Sequence, residues 1–172
     1  MILGVMSDTH GNTPMMFSAA HRMVEDHRAD VLIHLGDDYC DGELLRGFAP
    51  RVLYVPGLWC PEYRRKTVEK GFTLVFNGIS VSAAHTFEDI PAKGWRYGIV
   101  LTGHTHHAVI ERDGRLVHIN PGHLKALTNR GERAAYAIIE IGDAEVHAAL
   151  HEYDGTVRSE TRIPKADIAA VA

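Results

Sequence analysis

Three short segments hold residues able to bind a divalent metal: Asp8-Thr9-His10, Gly36-Asp37 and Gly103-His104-Thr105-His106. Carboxylates and imidazoles brought to one place make a ligand set for first-row transition ions. Asp8 and His10 alternate around Thr9, and His104 and His106 around Thr105, so in an extended segment each pair points one way. His85 is a further candidate. A lone Asp-x-His is ordinary turn or cap chemistry. Turn chemistry does not call for His85, His104 and His106 all at the ends of apolar runs, together with Asp8 and Asp37.

Those apolar runs are the elements that must position the candidates. Residues 2–6 precede Asp8, 31–35 precede Gly36-Asp37, 79–84 precede His85, and 99–102 precede Gly103. Short apolar runs bounded by turn residues read as buried strands, and ligands of open α/β sheets gather at the carboxyl ends of strands. A helix is expected from Thr13-Pro14, with Thr13 as N-cap and an apolar stripe of Phe17, Ala20 and Val24. A short helix is expected over 42–48 and a strand over 51–55, which makes the first half strand–helix–strand, the grammar of a parallel sheet. The second half reads as antiparallel, with hairpin signals at Asn77-Gly78, Asp113-Gly114 and Gly142-Asp143 and a helix around 90–95. The two styles predict two packed sheets with helices outside, in one domain over 1–163, and a frayed tail over 164–172.

Composition narrows the function. The 172 residues are 45% hydrophobic and 23% charged, in the range of a soluble globular domain. The net charge of -4 gives no basic footprint, so nucleic acid is not favoured as a partner. No apolar run is long enough to span a membrane, and the start lacks the basic n-region of a signal peptide, so a cytoplasmic protein with no membrane partner is expected. Cys40 and Cys60 are too few for a disulfide scaffold and fit a reducing compartment. An oligomer is compatible with the sequence.

The motif order resembles that of the calcineurin-like metallophosphoesterases, within them the small bacterial and archaeal phosphodiesterase group. The resemblance runs from Asp8 to Gly122 and includes Asn120-Pro121-Gly122, similar to the loop that closes the family's site. It implies a four-layer αββα sandwich of two mixed sheets flanked by helices, and a two-metal phosphoesterase centre. Asp8, His10 and His106 would hold one ion, His85 and His104 the other, and Asp37 would bridge them. Manganese is expected first, with iron, zinc, nickel or cobalt as alternatives. Two such ions about 4 Å apart clamp an in-line displacement at phosphorus, with metal-bound hydroxide as nucleophile. The expected substrate is a small phosphoester, with Asp37 and His85 acting at the reaction centre.

The third motif departs from the family's Gly-Asn-(His or Cys)-acid. It reads Gly57-Leu58-Trp59-Cys60-Pro61-Glu62, with Leu58 in place of the metal-binding Asn and Trp59 where many relatives keep a His. Three arrangements are open: a weaker second ion with water in the Asn position, Cys60 or Glu62 as substitute ligand, or an empty second site. His123 is a candidate substitute proton donor, catalytic with Asp37 and His85. Arg64-Arg65-Lys66 reads as a solvated face, Asp38 and Asp41 as loop-shaping residues, and His34 as a satisfied core histidine. The rival reading is a degenerate member of the fold serving as a metal-binding protein-interaction scaffold with little or no catalysis, as the retromer subunit of this fold does.

Overall fold

The computed structural model describes residues 1–170. One sheet has the order β13-β12-β11-β1-β2-β3, formed by Val157–Pro164, Glu145–Glu152, Ala135–Ile141, Ile2–Met6, Val31–His34 and Arg51–Tyr54. The other runs β4-β5-β6-β8-β7, formed by Gly71–Phe76, Ile79–Ala84, Gly98–Leu101, Leu116–Asn120 and Val109–Asp113. A two-stranded hairpin, β9 (Thr128–Asn129) with β10 (Glu132–Arg133), stands apart.

Alternation along the strands makes the layers. In β1, Leu3 and Val5 face the second sheet, while Met6 faces α1 (Thr13–Glu25). In β11, Ala135, Ala137 and Ile139 face the second sheet, and Tyr136 and Ile138 face α1. In the second sheet Ile79, Val81, Ile99, Leu101, Val117 and Ile119 fill the same inner core. Its outer side, at Ala84 and Val100, is covered by Ile90 beside the 3-10 turns Phe87–Asp89 and Ala92–Trp95. The result is the expected α/β sandwich of two mixed sheets, with one outer layer of helix and the other of 3-10 turns.

Several boundaries move. The N-cap of α1 is Asn12, whose side chain accepts from Met15 N, so Thr13 is already helical. The buried stripe is Met15, Met16, Ala19, Ala20 and Met23, one position away from Phe17 and Val24, which are half-buried. The short helix α2 covers Tyr39–Leu44, upstream of 42–48. The parallel and antiparallel styles do not segregate by half: β5, β6 and β8 of the second half pair in parallel, while β11 runs antiparallel to β1. The stretch read as a tail is ordered in its described part, where Pro164 ends β13, α3 spans Lys165–Ile168 and Ile168 is fully buried. Residues 171–172 of that stretch lie outside the described residues. No helix among the described residues is long and apolar enough to cross a membrane.

Candidate metal centre

Parallel pairing of β1 with β2 and of β5 with β6 sends the loops after all four strands to one rim. Asp8 and His10 follow β1, Asp37 follows β2, His85 follows β5, and His104 and His106 follow β6. The loops are stitched together by backbone bonds: Asp8 N donates to Gly36 O (3.0 Å) and Gly103 N to His85 O (3.0 Å). Asn120 braces the last loop by donating to Gly103 O (2.8 Å) and Thr105 Oγ1 (3.0 Å), the closing role expected of Asn120-Pro121-Gly122.

The chain turns sharply at nearly every candidate ligand. Asp8, His10, Asp37, His104 and His106 all have positive φ, between 49° and 82°. Aspartate and histidine visit this left-handed region more readily than most residues, yet each visit strains the backbone. Gly36, at φ 94°, lies where a Cβ would come within 2.9 Å of Gly57 N, so the β2 and β3 loops touch beside Asp37.

Two ligand groups form, Asp8–His10–His106 and Asp8–Asp37–His85. Asp8 is buried; its Oδ2 accepts from Ser7 Oγ (2.6 Å) and His104 N (2.8 Å), and its Oδ1 lies 3.3 Å from His106 Nε2. His10 Nε2 is 3.1 Å from His106 Nε2 and 2.6 Å from Asp37 Oδ2. That last approach is a charge contact, and Asp37 Oδ2 has no hydrogen-bond partner. His85 Nδ1 donates to Leu35 O (2.8 Å), which aims Nε2 to within 3.9 Å of Asp37 Oδ1. His85 Nε2 is itself buried without a partner. His104 belongs to neither group; it is exposed, with its ring 5.1 Å from that of His85. Asp8 is the member common to both groups, while Asp37 reaches both His10 and His85.

The ionisation pattern suits a cation. Burial would push the Asp8 carboxyl up, but His106, His85 and the Ser7 bond outweigh it and hold the pKa below the usual value. The bond to Asp8 raises the His106 pKa against burial, whereas burial lowers that of His10 against the pull of Asp37. Buried carboxylate and imidazole atoms without partners are costly alone. A divalent ion satisfies them, so these residues fit the metals that the motif pattern implies.

Around the centre, other expectations sort themselves. His34 is a satisfied core histidine: Gly36 N donates to its Nδ1 (3.2 Å), and its Nε2 donates to Thr9 Oγ1 (3.1 Å). Thr9 in turn donates to buried Asp41 (2.5 Å), as does Gly11 N (3.0 Å), so Asp41 shapes the loop as expected. Cys60 and Glu62 are engaged elsewhere, Cys60 Sγ with Gly57 O (3.2 Å) and Glu62 with Arg65 (3.2 Å), and neither joins a ligand group among the described residues. Cys40 and Cys60 are both free. Trp59 stands 82% exposed beside the altered motif.

His123 lies beside the centre, its ring 5.2 Å from that of His106. It is fully buried, with Nε2 donating to Glu132 O (3.2 Å), and burial lowers its pKa. Sequence reasoning missed Asn129, whose Oδ1 lies 2.7 Å from His106 Nδ1. Its only signal is the Asn129-Arg130-Gly131 turn, which carries no metal motif.

The family description "Calcineurin-like phosphoesterase superfamily domain" matches residues 1–144. No curated protein matches the chain. Among solved structures, the phosphoesterase Yfce from E. coli superposes with TM-score 0.72 at 20% identity, covering 94% of this chain and 98% of that one. An archaeal phosphodiesterase gives 0.65 at 18% identity over 87% of this chain and 99% of its own. Vps29 from Entamoeba histolytica, complexed with zinc, gives 0.67 at 18% identity over 95% and 99%. At such identities the superpositions establish the fold.

Proposed function

Because the chain belongs to the calcineurin-like phosphoesterase superfamily, we propose that it hydrolyses a small phosphodiester or phosphomonoester with two divalent ions, manganese first among them. One observation carries the reading: two carboxylate–imidazole groups share Asp8, and buried His85 Nε2 and Asp37 Oδ2 lack hydrogen-bond partners there. Asp8, His10 and His106 would hold one ion, His85 and His104 the other, with Asp37 between them. Bound there, the ions would supply an activated water and neutralise charge on the phosphoryl oxygens.

The chain's own groups fix the geometry. Ser7 and the His104 amide orient Asp8, and Leu35 O orients His85. His10 and His104 are exposed, which leaves the centre open to substrate. A second reading, the metal-binding scaffold with little catalysis, is favoured by Leu58, which offers no ligand atom, and by the exposed Trp59. Elemental analysis beside turnover of an aryl phosphodiester with added manganese separates the two. Bound metal with chelator-sensitive turnover supports the enzyme. Bound metal without turnover of any phosphoester supports the scaffold, and no metal under any loading condition refutes both.

A further inference from the structure

We propose that Asn129 is a positioning residue for this centre, and that Arg158 clamps the hairpin carrying it. The proposal rests on the reading of the centre as a metal site.

His106 has competing demands on its ring protons. Asp8 Oδ1, 3.3 Å from Nε2, draws a proton onto the nitrogen that must face the ion. Asn129 Oδ1, 2.7 Å from Nδ1, draws it to the far side. A neutral imidazole carries one N–H, so an acceptor at Nδ1 leaves the Nε2 lone pair for the metal. A ligating histidine commonly donates its other N–H to such an outer acceptor, which fixes both tautomer and ring orientation.

Asn129 can do this only if its hairpin stays put. Strands of two residues each cannot hold themselves. Glu132 ties the hairpin to the site loops, its carbonyl accepting from His123 Nε2 (3.2 Å) and its carboxylate from His107 Nδ1 (2.7 Å). Arg158, on β13 at the edge of the first sheet, locks it from behind. It donates to Glu132 (3.2 Å), Arg133 O (2.9 Å) and buried Glu152 (2.8 Å). Half-buried, forked and charge-assisted, these bonds are of the stronger kind. The edge strand thus reaches the metal ligand through Arg158, the hairpin and Asn129.

The test compares Asn129→Leu, Asn129→Asp and Arg158→Met with the wild type. Manganese affinity is measured by chelator competition, Tm on the metal-free proteins, and the His106 tautomer by 15N NMR at a pH where the ring is neutral. Asn129→Leu should weaken binding on the order of 10–100-fold and mix the tautomers, while Asn129→Asp, which keeps the acceptor, restores both. Arg158→Met should weaken binding in the same direction with the protein still folded. Asn129→Leu lowering Tm while affinity and tautomer stay unchanged would overturn the positioning role. A wild-type His106 protonated on Nε2 would overturn it too. Unchanged affinity in Arg158→Met overturns the clamp. If the wild type binds no manganese, the metal reading fails, and the tautomer alone still decides what Asn129 does.

Discussion

Acid should weaken this fold through one buried histidine. His34 sits wholly inside, and burial drives its pKa from 6.5 to about 4, against the opposing pull of Asp41 and Asp8. The neutral ring is required by its bonds, because Gly36 N donates to Nδ1 and a protonated Nδ1 would set N–H against N–H. As pH falls below 6.5 the unfolded chain binds a proton at this position that the folded chain refuses until about 4. The stability contribution is therefore whole above pH 6.5 and lost between there and about 4. Integrated over that span the loss is about 3 kcal/mol, a large share of the roughly 5–15 kcal/mol that holds a domain folded. Urea unfolding of metal-free protein across this range should show it, alongside His34→Gln, which keeps a donor and an acceptor but does not titrate. Other histidines contribute to both curves, so the difference between them isolates position 34. Parallel curves for wild type and variant would refute the reasoning.

The altered third motif gives a second prediction: Leu58→Asn should tighten the second ion by on the order of 10–100-fold at low metal, by analogy with losses on deleting outer ligand contacts. No change in Leu58→Asn, Cys60→Ala and Glu62→Ala alike would mean that this loop does not build the site. Changing His10 and Asp37 together to Ala should abolish metal retention by elemental analysis; a full load would show the ligands to be misassigned. At Gly57 a Cβ would fall within 2.5 Å of Asp37 O. Gly57→Ala should therefore cost about 1–3 kcal/mol, with Tm falling about 2–4 °C for each kcal/mol; an unchanged Tm would show that the two loops part freely.

The strands and their ends were legible because the chain marks them with local chemistry. Asn77-Gly78 makes the β4–β5 hairpin that the pair encodes, and the candidate ligands all follow apolar runs that are strands. Sheet composition was not legible, since parallel pairing of β6 with β8 joins segments with another strand between them in sequence. The strand β13 escaped notice because its sequence VRSETRIP buries only Ile163, as an edge strand allows. The α1 cap shifted because Asn12 and Thr13 are both good caps, and only the geometry of Met15 N chooses between them. In the site, Asp8, His10, Asp37 and His106 come together, but through left-handed turns at each of them rather than the extended alternation that the spacing suggested, and His104 does not join His106 in a ligand group. The burial of His123 and the reach of Asn129 depend on the β9–β10 hairpin, whose strands are too short to announce themselves.

The left-handed turns at Asp8, His10, Asp37, His104 and His106 bear on how this protein could be engineered. Each holds a non-glycine residue where glycine sits more easily, at a strain on the order of 1–3 kcal/mol. Optimising the chain for thermal endurance alone would draw glycine into these turns. Each such exchange would remove a candidate ligand, so on the proposed reading the sturdiest variants from a purely thermal selection should be the ones that no longer retain metal.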